Sequence, residues 1–415
     1  MSVGNLIADS KSDATIKAER GGKGARERAP APMPTYEGDF VLNEHLFLDC
    51  GRTLVNPTLH YAVYGRLNAA GDNAVLVCHA LSGSALVGVW WPQLFGDGDG
   101  AVGIVDLRQD CVICVNLLGS CYGSTGPGSI DPETGLVYGP AFPLISIRDN
   151  VRAQARLLDS LGIVSLRLAI GGSIGGMQAL DWAILFPDRV RRAVIIGVAP
   201  LSAMGLALNH LQRQAIQGDP NWQGGNYLSD LSQGQPRRGL ALARQIAMLS
   251  YKSAQLFEER FGRNPNRNGE DPWASDEHGG GLGGSSSIEL GGDGRMGGRF
   301  DVAGFLDYQG ERFLERFDAN SYLAILRTMD TWEPTQGYRD PEEAYGRIRT
   351  HLTFIGISSD WLFPAVDVKR MAEAVRKVAC KNGAQVLYRE MLTDHGHDAF
   401  LAEQRDLIRL LQPSE

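Results

Sequence analysis

Short runs of consecutive apolar residues punctuate the chain from about residue 60 onward, at Ala74–Cys78, Cys111–Leu117, Leu166–Ile170, Ala193–Val198, Leu352–Ile357 and Val386–Tyr388, with stretches of helical spacing between them. Runs this short suit strands buried on both faces, and their alternation with helices predicts a mostly parallel sheet covered on both sides. One helix is specified end to end: Ser146 can cap it, Ile147, Val151, Leu158 and Leu161 recur at helical spacing, and Gly162 can stop it. Between about Pro200 and Arg347 the strand rhythm gives way to helix-like segments such as Gly239–Tyr251 and Asn320–Met329. This predicts a helical lid, 201–347, inserted into a core built from 34–200 and 348–415. Within the lid, 276–299 is rich in Gly and Ser and lacks periodicity, which predicts a flexible loop rather than a phosphate cradle. Residues 1–33 carry few large apolar side chains and predict a disordered tail; Asp9, Asp13, Glu19 and Glu27 argue against a transit peptide.

Composition narrows the function classes. A chain of 415 residues, 43% hydrophobic and 21% charged, can bury a large core, and a net charge of -8 supplies no broad basic surface for nucleic acid. No apolar run is long enough to span a bilayer and no compact secretory segment opens the chain, so a cytoplasmic location is expected, with no membrane partner. Cys50, Cys78, Cys111, Cys114, Cys121 and Cys380 are scattered without a disulfide-framework spacing, which suits a reducing compartment. Cys111 and Cys114 form a C-x-x-C inside a strand-like run, where residues three apart point to opposite faces. Neither a metal nor a redox pair is expected there, and no metal or bound cofactor is expected elsewhere.

The chemistry centres on Gly171-Gly172-Ser173-Ile174-Gly175. It follows one apolar run and opens a helix-like stretch to Phe186, the strand–turn–helix context of a nucleophile elbow. In a chain with 51 glycines the pentapeptide says little without that context. An activated serine needs a base, and the base an orienting carboxylate, following the serine in the order acid, then histidine. Asp360 lies just beyond Leu352–Ile357, and His395 and His397 lie beyond the last run; either histidine can serve as the base. An oxyanion hole needs two backbone N–H groups. Ile174, directly after the serine, supplies one, and Leu81, in the loop after Ala74–Cys78, the other. His79 precedes Ser173 and sits in that same loop, where a structural role is expected.

With these motifs in place, the sequence resembles the homoserine O-acyltransferases of the α/β-hydrolase superfamily, acetyl-CoA-using enzymes of methionine biosynthesis. The resemblance covers roughly residues 38–410 and rests on ordered blocks: Asn73–Leu81, Cys114–Asn116 with Gly123–Pro127, Gly171–Trp182, Phe317–Leu323 and Gly396–Leu401. It implies an α/β-hydrolase fold, Ser173 as nucleophile, Asp360 as triad acid, and His397 rather than His395 as base. It also implies that Arg244 holds the homoserine carboxylate, Asp398 its amino group, and that Tyr251 lines the pocket. On the residues alone, Arg244 reads as a solvated lid residue and Arg213 is an equal candidate. A homodimer built through the lid follows the family's habit. The chain departs from the family at Leu81–Leu86, where threonine, aspartate and histidine are usual, and in the length of 276–299. Members using succinyl-CoA tend to carry arginine two residues after the triad acid; here Leu362 stands there, which favours acetyl-CoA. The implied reaction moves an acetyl group from acetyl-CoA to L-homoserine through an acyl-Ser173. The alternatives are a succinyl donor, a serine acceptor, an ester or thioester hydrolase on the same triad, and a non-catalytic binding protein, which a complete triad disfavours.

Overall fold

The computed structural model describes residues 31–96, 103–229, 234–266 and 300–412. The loop expected at 276–299 lies outside the described residues, as does the tail expected at 1–33 except for its last residues. The strands are β1 (Tyr36–Val41), β2 (His45–Phe47), β3 (Thr53–Val55), β4 (Thr58–Gly65), β5 (Ala74–Cys78), β6 (Cys111–Val115), β7 (Leu166–Gly172), β8 (Arg192–Ile196), β9 (His351–Ile357) and β10 (Val386–Met391). An eight-stranded sheet runs β1-β4-β6-β5-β7-β8-β9-β10, with β2 and β3 paired separately. From β6 to β10 every neighbouring pair is parallel, while β4 is antiparallel to both β1 and β6.

Both faces of the central strands are buried, which is why they read as continuous apolar runs. Along β5, Ala74, Leu76 and Cys78 enter one core and Val75 and Val77 the other. Cys111 and Cys114 likewise fall into opposite cores. Each such Val, Leu or Ile contributes about 1.5–3 kcal/mol by its burial.

The helices of the first part are α1 (Val87–Trp90), α2 (Ile147–Ser160) and α3 (Ile174–Leu185). Ser146 caps α2 in a capping box with Asp149, and Gly162, at φ 73°, turns the chain away. Among the described residues, six α-helices then separate β8 from β9: α4 (Ala203–Gln217), α5 (Arg237–Tyr251), α6 (Ala254–Arg260), α7 (Asp301–Leu314), α8 (Ala319–Asp330) and α9 (Pro341–Tyr345). The last are α10 (Ala365–Ala379), α11 (Ala399–Ala402) and α12 (Gln404–Leu411). Helices α2, α3 and α10 cover one face of the sheet, and α1, α11 and α12 the other. Among the described residues no helix is long and apolar enough to cross a membrane.

The register prepares the site. Pairing Cys78 with Gly171, Gly171 with Ile195, Ile196 with Ile355 and Ile357 with Met391 brings the C-terminal ends of β5, β7, β8, β9 and β10 to one edge. The chain order reverses at β5, which has β6 on one side and β7 on the other, and open α/β sheets place their sites at such a switch.

Candidate active site

Ser173 occupies the turn from β7 into α3 with φ 57° and ψ -133°, a left-handed conformation that non-glycine residues seldom adopt. Its N–H donates to the Ile196 carbonyl at 2.9 Å. Small neighbours are obligatory in so tight a turn. A Cβ on Gly175 would stand 2.1 Å from the Cys78 carbonyl oxygen, and one on Gly171 would meet the Gly175 backbone at 2.4 Å. Ile174 is the first residue of α3, so its N–H faces outward at the positive end of the helix dipole.

Asp360 and His397 arrive from separate strands. Asp360 follows β9, and its Oδ1 accepts the N–H groups of Leu362 and Phe363, both at 2.9 Å. That leaves Oδ2 to accept from His397 Nδ1 at 2.6 Å. His397 is buried among the rings of Phe363, Phe400 and Tyr251, 5.3, 5.8 and 6.1 Å away between centroids. Burial alone pushes its pKa down, but the charge and hydrogen bond of Asp360 and the charge of Asp398 hold it above the ordinary 6.5. Its Nε2 is buried and has no hydrogen-bond partner among the described residues. Gly197, one residue beyond the carbonyl that binds the Ser173 N–H, lies so close that a Cβ there would sit 3.4 Å from both Asp360 and His397. The Phe400 ring against His397 also packs on Gly172. These contacts bring the Asp360–His397 pair close to the Ser173 turn at one edge of the sheet. His395 does not join them; its Nε2 lies 3.2 Å from Lys252 Nζ.

Leu81 is buried in the loop after β5. His79, fully buried, braces that loop: Nδ1 donates to the Ala80 carbonyl at 2.8 Å and Nε2 accepts the Leu117 N–H at 3.2 Å. Burial depresses its pKa to about 4, keeping it neutral.

Arg244 and Tyr251, about two helical turns apart on α5, reach the site from the lid. The Arg244 guanidinium carbon lies 4.9 Å from the Phe313 ring centroid and 5.5 Å from that of Tyr251. Its Nε is buried without a hydrogen-bond partner among the described residues. Arg213, by contrast, is ion-paired with Asp330. Asp398 donates its N–H to the Tyr251 carbonyl at 3.0 Å, and its Oδ2 is 3.1 Å from Lys252 Nζ. Burial works against the Asp398 charge, yet Lys252, His397 and Arg244 together hold its pKa below the ordinary carboxylate value. Among the described residues no cluster of His, Cys, Asp and Glu could hold a metal ion.

Comparison with known proteins fits this geometry. Residues 73–403 match the family model described as the alpha/beta hydrolase fold. A homoserine O-acetyltransferase of Symbiobacterium thermophilum is 43% identical over 385 residues, which is 89% of this chain and 92% of that protein. A homoserine O-succinyltransferase of Alkalilimnicola ehrlichii is 41% identical over 371 residues, 86% and 89% of the two chains. The chain belongs to the homoserine O-acetyltransferase family. The crystal structure of homoserine O-acetyltransferase from Bacillus anthracis shares its fold, with a TM-score of 0.75 at 23% identity, covering 91% of this chain and 98% of that one.

Beside the residues that the family resemblance singles out, the crevice holds two cations that sequence reasoning missed. Arg316 Nη1 donates to the Ser82 carbonyl at 2.8 Å and to the Tyr122 hydroxyl at 2.9 Å, tying the loop beyond Leu81 to the lid. Lys252 follows Tyr251 at the end of α5. A lysine after a helix ordinarily marks a solvated end, so nothing in the pattern flagged it.

Proposed function

We propose that this protein transfers an acetyl group from acetyl-CoA to the hydroxyl of L-homoserine, giving O-acetyl-L-homoserine and CoA for methionine biosynthesis. The observation that carries the reading is the pairing, beside one Asp360–His397 dyad, of a guanidinium with no carboxylate partner among the described residues and a carboxylate held ionised. An arginine fork suits a carboxylate and an acid suits an ammonium, so Arg244 and Asp398 match the two ends of an amino acid.

In this scheme His397 Nε2 takes the Ser173 proton, and Ser173 Oγ attacks the thioester carbonyl. The N–H groups of Leu81 and Ile174 hold the oxyanion, and CoA leaves with the proton from His397. The homoserine hydroxyl, deprotonated by the same histidine, then attacks the acyl-serine and frees Ser173. The scheme needs no metal or bound cofactor. Acetyl-CoA is favoured as donor because the position two residues after Asp360 is Leu362, a buried side chain with no charge for a succinyl carboxylate. The similarity to a succinyltransferase keeps succinyl-CoA as the second reading. Exposed Met204, Leu206 and Leu211 on α4 and Leu242 and Leu249 on α5 support a homodimer through the lid. Six free cysteines support a cytoplasmic location.

The test is release of CoA thiol from acetyl-CoA and succinyl-CoA, each with L-homoserine, L-serine or no acceptor. Rapid release requiring acetyl-CoA and homoserine together is expected, with parallel double-reciprocal lines. Equal release without an acceptor would make the protein a thioesterase.

A further inference from the structure

Behind Tyr251 a buried chain of polar side chains joins α5 to α4 through α8. Asn209, Gln212 and Tyr322 are 4%, 3% and 0% exposed, and each is hydrogen-bonded to the next. At its far end Arg213 is ion-paired with Asp330, whose Oδ1 accepts from Asn209 Nδ2 at 2.8 Å. The arginine that rivals Arg244 in the sequence is thus one end of a network whose other end is Tyr251.

Each link has a single polarity. A carboxylate paired with Arg213 only accepts, so Asn209 turns its amide nitrogen to Asp330 and its oxygen to Gln212. Gln212 Nε2 donates to that oxygen and to the Leu208 carbonyl, both at 3.2 Å, and a carbonyl likewise only accepts. Gln212 Oε1 therefore faces Tyr322, whose hydroxyl donates to it at 2.5 Å. The hydroxyls of Tyr322 and Tyr251 are hydrogen-bonded to each other, and burial pushes both above the ordinary phenol value, so each keeps its one proton. With the Tyr322 proton given to Gln212, the Tyr251 proton goes to Tyr322. The Tyr251 oxygen then turns lone pairs, and no proton, to its remaining surroundings. Those are the charged groups of the pocket, since Arg244, Asp398 and Arg316 all act on this hydroxyl.

We propose that Gln212 and Tyr322 are positioning residues of the amino-acid site: by taking up the Tyr251 proton they hold its oxygen as a hydrogen-bond acceptor for the substrate ammonium, beside Asp398. An ammonium has three protons to give, and a carboxylate finds no donor at this oxygen, so the same device steers the substrate carboxylate to Arg244. The inference deepens the acyltransfer reading given above and rests on it.

The experiment measures acetyl transfer to L-homoserine and to 4-hydroxybutanoate, which lacks the ammonium, with kcat/KM expressed per site counted from the burst of CoA. Tyr251→Phe, Gln212→Met and Tyr322→Phe should each cost homoserine about tenfold against 4-hydroxybutanoate, the loss of one charged hydrogen bond, and chiefly through KM. Gln212→Met added to Tyr251→Phe should shift that preference by less than about twofold, because the oxygen it positions is gone, whereas a packing role would add in both backgrounds. Homoserine kcat/KM alone carries the same cycle where transfer to 4-hydroxybutanoate falls below detection. Tyr322→Phe removes only a hydroxyl and decides the question if Gln212→Met does not fold. A preference unmoved by Tyr251→Phe or by the folded relay variants, or a relay loss that is equal with and without the Tyr251 hydroxyl, overturns the inference. Wild type that transfers to neither substrate overturns the acyltransfer reading, and this inference with it.

Discussion

In the proposed reaction His397 accepts the Ser173 proton, which it can do only as the neutral imidazole, so its pKa is expected to set the lower arm of the pH profile. Burial would lower that pKa, and the Asp360 charge with its hydrogen bond reverses the effect. The rate of acylation by acetyl-CoA should therefore rise with pH through a midpoint above 6.5. Asp360→Asn removes the charge and keeps the shape. Its midpoint should fall below that of wild type while the rate drops by about 10⁴, the loss seen when the acid of the serine-protease triad is amidated. Stopped-flow acylation across pH 5–9 checks both, and an unmoved midpoint would mean that Asp360 does not set the basicity of His397. The linked effect on folding has a defined sign. A histidine whose folded pKa is raised stabilises the fold fully below its unfolded pKa, and that contribution disappears as pH rises through the folded value.

The elements legible in the sequence are those whose residues carry their own reason. Strand β5 begins and ends where its apolar run does, at Ala74 and Cys78, and α2 begins after the cap Ser146. Strands β1 to β4 do not stand out in the sequence, because exposed or half-buried positions recur along each of them and break the apolar run. Strand β10 continues past Tyr388 to Met391 through Arg389 and Glu390, polar residues that an outer strand tolerates. The elbow was legible because its glycines answer to contacts and not to propensity. Replacing Gly175 by alanine puts a methyl group 2.1 Å from the Cys78 carbonyl oxygen, against backbone that cannot rotate aside. Such overpacking costs typically 1–3 kcal/mol and here also displaces Ser173. Gly175→Ala should lower the urea midpoint of unfolding and abolish fluorophosphonate labelling of Ser173. Labelling at the wild-type rate would show that the turn has slack the geometry does not reveal.

At the scale of the whole molecule, the site is an assembly of segments far apart in sequence, and the reach of sequence reasoning follows from that. Ser173, Asp360 and His397 each sit just past a strand that could be located, so their convergence at one edge of the sheet follows from topology. The lid residues have no such guide. Arg244 and Arg213 lie on neighbouring helices with equal claims in the sequence, and only tertiary pairing separates them, since Arg213 is held by Asp330 while Arg244 meets rings and its Nε has no partner among the described residues. The division between lid and sheet also divides the reaction proposed above. In that proposal the donor half needs Ser173, the oxyanion N–H groups and the Asp360–His397 dyad, all delivered by the core; the acceptor half needs in addition a cation delivered by α5. Arg244→Ala should accordingly raise the KM for homoserine by about thirtyfold or more, the order expected when a charged hydrogen bond worth about 2 kcal/mol or more is lost. Mixing that variant with acetyl-CoA alone should still give a burst of one CoA per Ser173. A KM that stays at the wild-type value would detach Arg244 from the acceptor, and a lost burst would place it in the donor half instead.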